Sequence, residues 1–176
     1  EHDSNGGVQE NSCGALGNLA NGSNEWKERL LQAGVLDHLF KSMSEHASNA
    51  GVQENACGAL WNLAGCSNEQ RDKLMEAGVL DHLFRSMSEH ASNAAVQEKA
   101  CGAFQNLAGG SNEQQARLLQ AGMLDHLFSS MSEHVSNSGV QEKACAALRN
   151  LSMGSAEQKE RLLQGGVLHY LFNSMS

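Results

Sequence analysis

The chain has 176 residues, of which 40% are hydrophobic and 5% aromatic, and its formal net charge is -8. This acidity argues against nucleic acid as a partner, because nucleic-acid binding depends on Lys and Arg side chains that neutralise phosphates. No apolar run approaches the ~18 residues of a membrane span, and no basic-then-apolar signal segment opens the chain. The composition, which includes no proline, predicts a soluble helical protein without nucleic-acid or membrane partners.

Four copies of one 44-residue unit make up the chain, without any insertion: 1–44, 45–88, 89–132 and 133–176. A strict period of ~40 to 47 residues is typical of helical solenoids, in which each unit buries its apolar face by stacking on the next. We therefore expect a single all-α repeat array over residues 1–176 rather than two globular domains. Because the numbering begins inside the repeat without an initiator methionine, we also expect a segment of a longer protein.

Each copy contains three predicted helices, which the second copy shows in chain order. After SEHASN, whose Ser and Asn are N-cap candidates, a long helix is predicted from about Ala50 to Ala64. Ser67 then begins a short helix with an S-x-x-Q capping box, which recurs at Ser111 and Ser155. After Ser23 a tryptophan replaces the glutamine, so only the serine half of the box is present there. Gly78 ends the short helix at about residue 77, and VLDHLFRSM forms a middle helix with one apolar stripe.

The long helix has two chemically different sides. Helical spacing places on its apolar side Val52, Ala56, Ala59, Leu60 and Leu63, with Cys57 at the edge. The other side carries Glu54, Asn55, Gly58, Trp61 and Asn62. We therefore expect Trp61 to lie away from the core, in a position open to solvent.

Comparison of the four copies separates the positions that the repeat requires from those that it leaves free. Twenty-one of the 44 columns are identical in all copies, and only two hold four different residues. These two are the column of Gly17, Trp61, Gln105 and Arg149 and the column of Lys41, Arg85, Ser129 and Asn173. Trp and Arg are enriched at binding hot spots, so the first column can set specificity, although neutral drift of an exposed position gives the same pattern.

The cysteines and histidines do not predict a catalytic or metal site. Four cysteines form one column of the repeat: Cys13, Cys57, Cys101 and Cys145. In stacked helices successive members would lie ~10 Å apart, which is too far for a disulfide. We therefore interpret them as buried free thiols, which fit the reducing cytoplasm or nucleus. Cys66 replaces glycine, and we expect it to be a looser, more reactive thiol. The histidine columns have the same wide spacing, which excludes a shared metal, and no nucleophile motif is present. We expect no cofactor, no metal and no enzymatic activity.

The unit resembles an armadillo repeat, as found in beta-catenin and importin alpha. SNEQRDKLMEAG is similar to the family's first helix, VLDHLFRSM to its second and VQEKACGAFQNLA to its third, whereas HEAT repeats lack the glycine bend and the Ala-Leu-x-Asn-Leu-Ala ending. The resemblance implies a right-handed superhelix whose third, long helices line a concave groove that holds an extended peptide. The family's peptide-binding asparagine matches Asn18, Asn62, Asn106 and Asn150. The positions that match the family's tryptophan are here Gly14, Gly58, Gly102 and Ala146. The aromatic side chains between which nuclear-import receptors hold lysine side chains are therefore absent from these positions.

These patterns predict a protein interaction scaffold that binds a peptide along the groove. Trp61, Gln105 and Arg149 would select the side chains of the peptide. A further invariant column consists of Glu10, Glu54, Glu98 and Glu142. These carboxylates either form an acidic row that binds a partly basic peptide or are present because the helix dipole favours glutamate near a helix N-terminus. Lys99 and Lys143 replace asparagine beside this column and make the second half mixed in charge.

The alternative is a structural array, natural or engineered, that has no dedicated ligand. Its ends carry apolar residues and can stack head to tail, in the first unit Val8, Cys13 and Leu16 and in the last Leu168, Leu171, Phe172 and Met175.

Overall fold

The computed structural model describes residues 4–175, which form twelve α-helices and no strand. The helices are α1 (Gly6–Ala20), α2 (Asn24–Gln32), α3 (Val35–Glu45), α4 (Ala50–Ala64), α5 (Asn68–Glu76), α6 (Val79–Glu89), α7 (Ala94–Leu107), α8 (Asn112–Gln120), α9 (Met123–Glu133), α10 (Ser138–Leu151), α11 (Ala156–Gln164) and α12 (Val167–Ser174). The long helices are α1, α4, α7 and α10, and each packs along the next. A continuous apolar core runs through all four units, as expected for a solenoid.

The helix boundaries follow the capping residues that the sequence predicts. Ser67, Ser111 and Ser155 form complete capping boxes, whereas Ser23 only accepts a hydrogen bond from the Trp26 amide. Each long helix begins after an asparagine whose side chain accepts from the first-turn amides. Gly78 has a φ of 89°, in the left-handed region where a Cβ atom would clash with the backbone. Its equivalents in the other units also have a positive φ. The predicted limits of the helix Ala50–Ala64 and of the glycine bend are confirmed.

An invariant glutamine column connects long helices to middle helices, and it is buried at Gln53 and Gln97. The Gln53 side-chain amide donates to the Met43 carbonyl at 2.8 Å and to the His46 carbonyl at 3.1 Å, and its oxygen accepts from the Ser86 hydroxyl. Gln97 makes the equivalent bonds to the end of α6. Because both functional groups of a buried amide are satisfied, this polar column can remain in the core.

Stacked aromatic rings join successive middle helices. Phe40 stacks on His82 with ring centroids 4.1 Å apart, and Phe84 stacks on His126 at 4.2 Å. In the last pair Tyr170 takes the histidine position and stacks on Phe128 at 4.0 Å. Partial burial lowers the pKa of both His82 and His126 below the usual histidine value.

All five cysteines are free thiols, as the column spacing predicts. Burial raises the pKa of both Cys57 and Cys101 to about 12. Cys66 is only 7% exposed, and burial raises the pKa of its thiol too, so the expectation of a loose, reactive Cys66 is wrong. The reason is contact with the preceding unit, since Lys27 reaches across and donates to the carbonyl of Gly65 beside it.

None of the described helices is both long and apolar enough to cross a membrane.

Candidate functional site

The long helices bring several of the predicted site residues together in one depression. A cavity of about 200 Å³ lies between α1, α4 and α7, and its lining includes Asn18, Glu54, Trp61, Asn62 and Lys99. The two sides of the long helix are therefore separated as the helical spacing predicts. Apolar residues such as Leu60 and Leu63 are fully buried, and the polar side faces this groove.

The invariant asparagines bond to the preceding unit. The Nδ2 atom of Asn62 donates to the Gly17 carbonyl at 2.9 Å, and that of Asn106 donates to the Trp61 carbonyl at 2.9 Å. Asn150 likewise donates to the Gln105 carbonyl at 2.8 Å. The partner is a carbonyl, which only accepts, so the amide nitrogen must be the donor.

These bonds explain why one column is invariant while its neighbour is free to vary. Each accepting carbonyl lies in the last turn of a long helix. The amides of Gly65 and Gly109, which would complete the Trp61 and Gln105 carbonyls, bond to other carbonyls, whereas the Gly17 carbonyl also accepts from the Asn21 amide at 3.1 Å. The carbonyl belongs to the variable column, but every residue type has one. The sequence comparison missed this structural role, because invariance alone does not distinguish an inter-unit bond from a ligand contact.

The asparagines also keep hydrogen-bonding capacity, and two of them, Asn18 and Asn62, line the depression. Within residues 4–175 the Oδ1 atoms of Asn62, Asn106 and Asn150 accept no hydrogen bond, and the side chain of Asn18 makes none at all. Asn18 is exposed, and the other three are half-buried. The four positions therefore present a row of acceptors along the long helices.

Trp61 lines the depression, as its side of the helix predicts, but it also packs against the core, so the expectation of a position away from the core and open to solvent is wrong. It is half-buried and lies across α7, where a Cβ atom built on Gly102 would be 2.5 Å from its Cδ2. The glycine leaves room for the indole to cover the next helix, which removes apolar surface from water. The missing aromatic column and the extra tryptophan are therefore linked, since the glycine of one unit receives the ring of another.

Two lysines flank the Trp61 ring. The Lys99 ammonium is 5.6 Å from the ring centroid and the Lys143 ammonium is 5.3 Å from it, both within cation–π range. Lys143 also pairs with Glu142 at 2.6 Å, and Lys99 lies 4.0 Å from Glu98. Lysines from two successive units therefore converge on the ring.

The other members of the variable column differ in burial as well as in chemistry. Gly17 is buried, with Ala59 of the next helix 3.5 Å from the position that a Cβ atom would take. Gln105 is half-buried, and its Oε1 atom is enclosed without a hydrogen-bond partner among the described residues. Arg149 is exposed. The large side chains of this column are thus Trp61, which two lysines flank, and Arg149, which lines a separate depression with Leu162 and Leu168.

The glutamate column reaches toward the next unit. The carboxylate of Glu10 lies against Gly51 in the first turn of α4, and that of Glu98 lies against Gly139 in the first turn of α10. The positive end of a helix dipole stabilises a carboxylate there. Glu54 is half-buried like these two, whereas Glu142 is exposed.

The two ends of the array expose apolar side chains. In the first unit Val8, Leu19 and Trp26 are exposed. Cys13 is buried, as its column predicts, and so it is not part of this exposed apolar end. In the last unit the exposed apolar side chains are Leu163, Leu168, Phe172 and Met175. Among the described residues no group of three or more His, Cys, Asp or Glu side chains is placed to hold a metal ion.

Four stacked three-helix units with a depression between α1, α4 and α7 define a helical-repeat protein of the α-solenoid class. Residues 23–65 and 67–109 match the family model described as the armadillo/beta-catenin-like repeat.

Several solved structures of designed armadillo repeat proteins are similar to the chain over most of its length. One, in complex with the peptide (KR)4, is 30% identical over 97% of this chain and 73% of its own, with a TM-score of 0.81. Another, from computationally designed armadillo repeat proteins for modular peptide recognition, is 32% identical over 96% of this chain and 72% of its own, with a TM-score of 0.78. A third designed armadillo repeat protein is 33% identical over 92% of this chain, with a TM-score of 0.83, and the chain spans 66% of it. The family model and these relatives show that the chain belongs to the armadillo repeat family. No curated protein matches the chain.

Proposed function

We propose that the chain is a protein interaction scaffold that binds an extended peptide segment along the groove formed by α1, α4, α7 and α10. The observation that carries this proposal is the row of asparagine Oδ1 acceptors on the long helices. An extended peptide has backbone N–H groups at regular intervals, and these are the donors that such a row requires. The peptide complex of one designed relative and the peptide-recognition purpose of another support the same ligand class.

Side-chain selection along this peptide falls to the variable column, chiefly Trp61 and Arg149. The residues that follow Glu10 and Glu54 in sequence are Asn11 and Asn55 rather than lysines, so these two carboxylates favour a basic ligand residue over the first half. This scaffold has no catalytic role, and its free thiols suit the reducing cytoplasm or nucleus.

The test is a selection of random peptides on the immobilised chain, followed by affinity measurements on a single groove variant. Asn18→Ala is the informative change, because Asn18 makes no inter-unit bond and its loss leaves the array intact. We expect the enriched peptide to lose about fivefold in affinity, the equivalent of one hydrogen bond. Asn24→Ala is the matched control, since the fourth copy already carries alanine there. The proposal fails if no peptide is enriched, or if both variants bind as the parent does.

The exposed ends support a second candidate, self-association of the array. Met175 is 84% exposed and Trp26 is 55% exposed, at opposite ends of the stack. Contact between the end of one copy and the start of another would be heterologous and would extend into filaments. Sedimentation velocity measures this directly: we expect the sedimentation coefficient to rise with concentration, and a monomer at every concentration excludes this candidate.

A further inference from the structure

We infer that the groove around Trp61 selects an acidic side chain, so that the bound peptide carries a carboxylate where it crosses the third and fourth units. The inference rests on the proposed function, because it assigns a chemistry to part of the same groove. It is carried by Trp61, Gly102, Lys99 and Lys143, which come together from three successive long helices.

Two lysine side chains of the protein already make cation–π contacts with the Trp61 ring. An aromatic face attracts a ligand cation through its negative quadrupole. Here two ammonium groups lie 5.6 and 5.3 Å from the centroid, and the ring rests on Gly102. A lysine or arginine of the ligand would meet two like charges at this position, so the indole does not act as a wall for a basic side chain.

The same two lysines are available to an anion. Lys143, whose side chain is 20% exposed, pairs with its sequence neighbour Glu142, whose side chain is 72% exposed, and water around the carboxylate weakens the pair. Glu98 lies at the long limit of an ion pair from Lys99, and its carboxylate is directed at the first turn of α10. A ligand carboxylate can therefore compete for both ammonium groups without breaking a strong internal contact.

The charge of this column changes along the array. Asn11 and Asn55 occupy the same column as Lys99 and Lys143, so the groove bears no lysine there in the first two units. Arg149, which is exposed, adds a further positive charge in the fourth unit. The complementary ligand is therefore a peptide of split charge, basic over the first half of the groove and acidic over the second.

The test uses three octapeptides, (KR)4, KRKREEEE and EEEEKRKR, the last two covering both chain directions. Binding is followed by Trp61 fluorescence in a Trp26→Gln background, which restores the glutamine of the other three copies and leaves a single tryptophan. The measurements are made in ~0.15 M salt, where a screening length of about 8 Å limits the effect of the overall negative charge.

The decisive variant is Lys99→Asn with Lys143→Asn, which copies the asparagine of the first two units. We expect it to weaken the better-bound split-charge peptide about tenfold and to strengthen (KR)4 binding. Lys41→Ser with Arg85→Ser removes the same charge from the middle helices, copies the serine of the third unit, and is expected to leave the preference for the split-charge peptide unchanged.

The outcomes separate the inference from the proposed function. If the two lysine changes alter both kinds of peptide in the same direction, or alter neither, the acidic selection is refuted while peptide binding stands. The selection is also refuted if the middle-helix control shifts the preference equally, because net charge then explains the result. If none of the three peptides binds and the library selection also fails, the proposed function is refuted together with the inference.

Discussion

Replacement of Asn106 by alanine should cost stability that the same change at Asn18 does not. Asn106 donates to the Trp61 carbonyl at 2.9 Å, and that carbonyl lies in the last turn of α4, where no helical amide completes it. Loss of such a bond costs about 1 kcal/mol in the free energy of unfolding. Alanine also favours the helix by about 0.5 kcal/mol over asparagine, and this gain is common to both variants. The difference between them therefore isolates the inter-unit bond at about 1 kcal/mol.

The assay is urea unfolding followed by circular dichroism, with thermal unfolding as a second measurement. For a chain of this size 1 kcal/mol corresponds to about 2 to 4 °C in the unfolding midpoint. Asn150→Ala should match Asn106→Ala, since its bond to the Gln105 carbonyl has the same geometry. Equal stability of the Asn18 and Asn106 variants would refute the structural role of the asparagine column.

Three further predictions concern the core and its contacts. Gly102→Ala should cost about 1 to 3 kcal/mol in urea unfolding, because the new methyl group overlaps the indole, and most of this loss should disappear when Trp61→Gly is added. Stability should fall as the pH is lowered through the unfolded histidine pKa of about 6.5, because burial lowers the folded pKa of His82 and His126 and the unfolded chain then binds more protons. Thermal midpoints at pH 7.5 and 5.5 measure this, and replacement of both by tyrosine, as in the fourth copy, should reduce the difference. Cys66 should react with Ellman's reagent only as fast as the protein opens, so rapid modification of the folded protein would contradict its burial.

Much of the fold is predictable because its determinants are local. The period, the capping boxes and the glycine bend act within a few residues of the helix ends that they define, and they fix the helix Ala50–Ala64 and the left-handed Gly78. Family resemblance then places the long helices along a groove. Four copies of one sequence repeat each of these signals, so an isolated departure such as Trp26 does not obscure them.

The errors concern residues whose surroundings come from another unit. Trp61 is placed by Gly102, which is 41 positions away in sequence, and Cys66 is covered through Lys27 of the preceding unit. Helical periodicity assigns a side of the helix but not the neighbour that covers it. The bonds of the asparagine column are also not predictable from the sequence. Their acceptors are backbone carbonyls of the preceding copy, which are present whatever the residue type.

The backbone acceptor of the asparagine bond has a consequence for how such an array can change in length. A unit inserted, deleted or exchanged between copies brings its own donor and offers its own carbonyl, whatever side chain it carries in the variable column. The joints on either side are then restored without compensating substitutions. The number of 44-residue units and the side chains of the variable column can therefore change independently of each other.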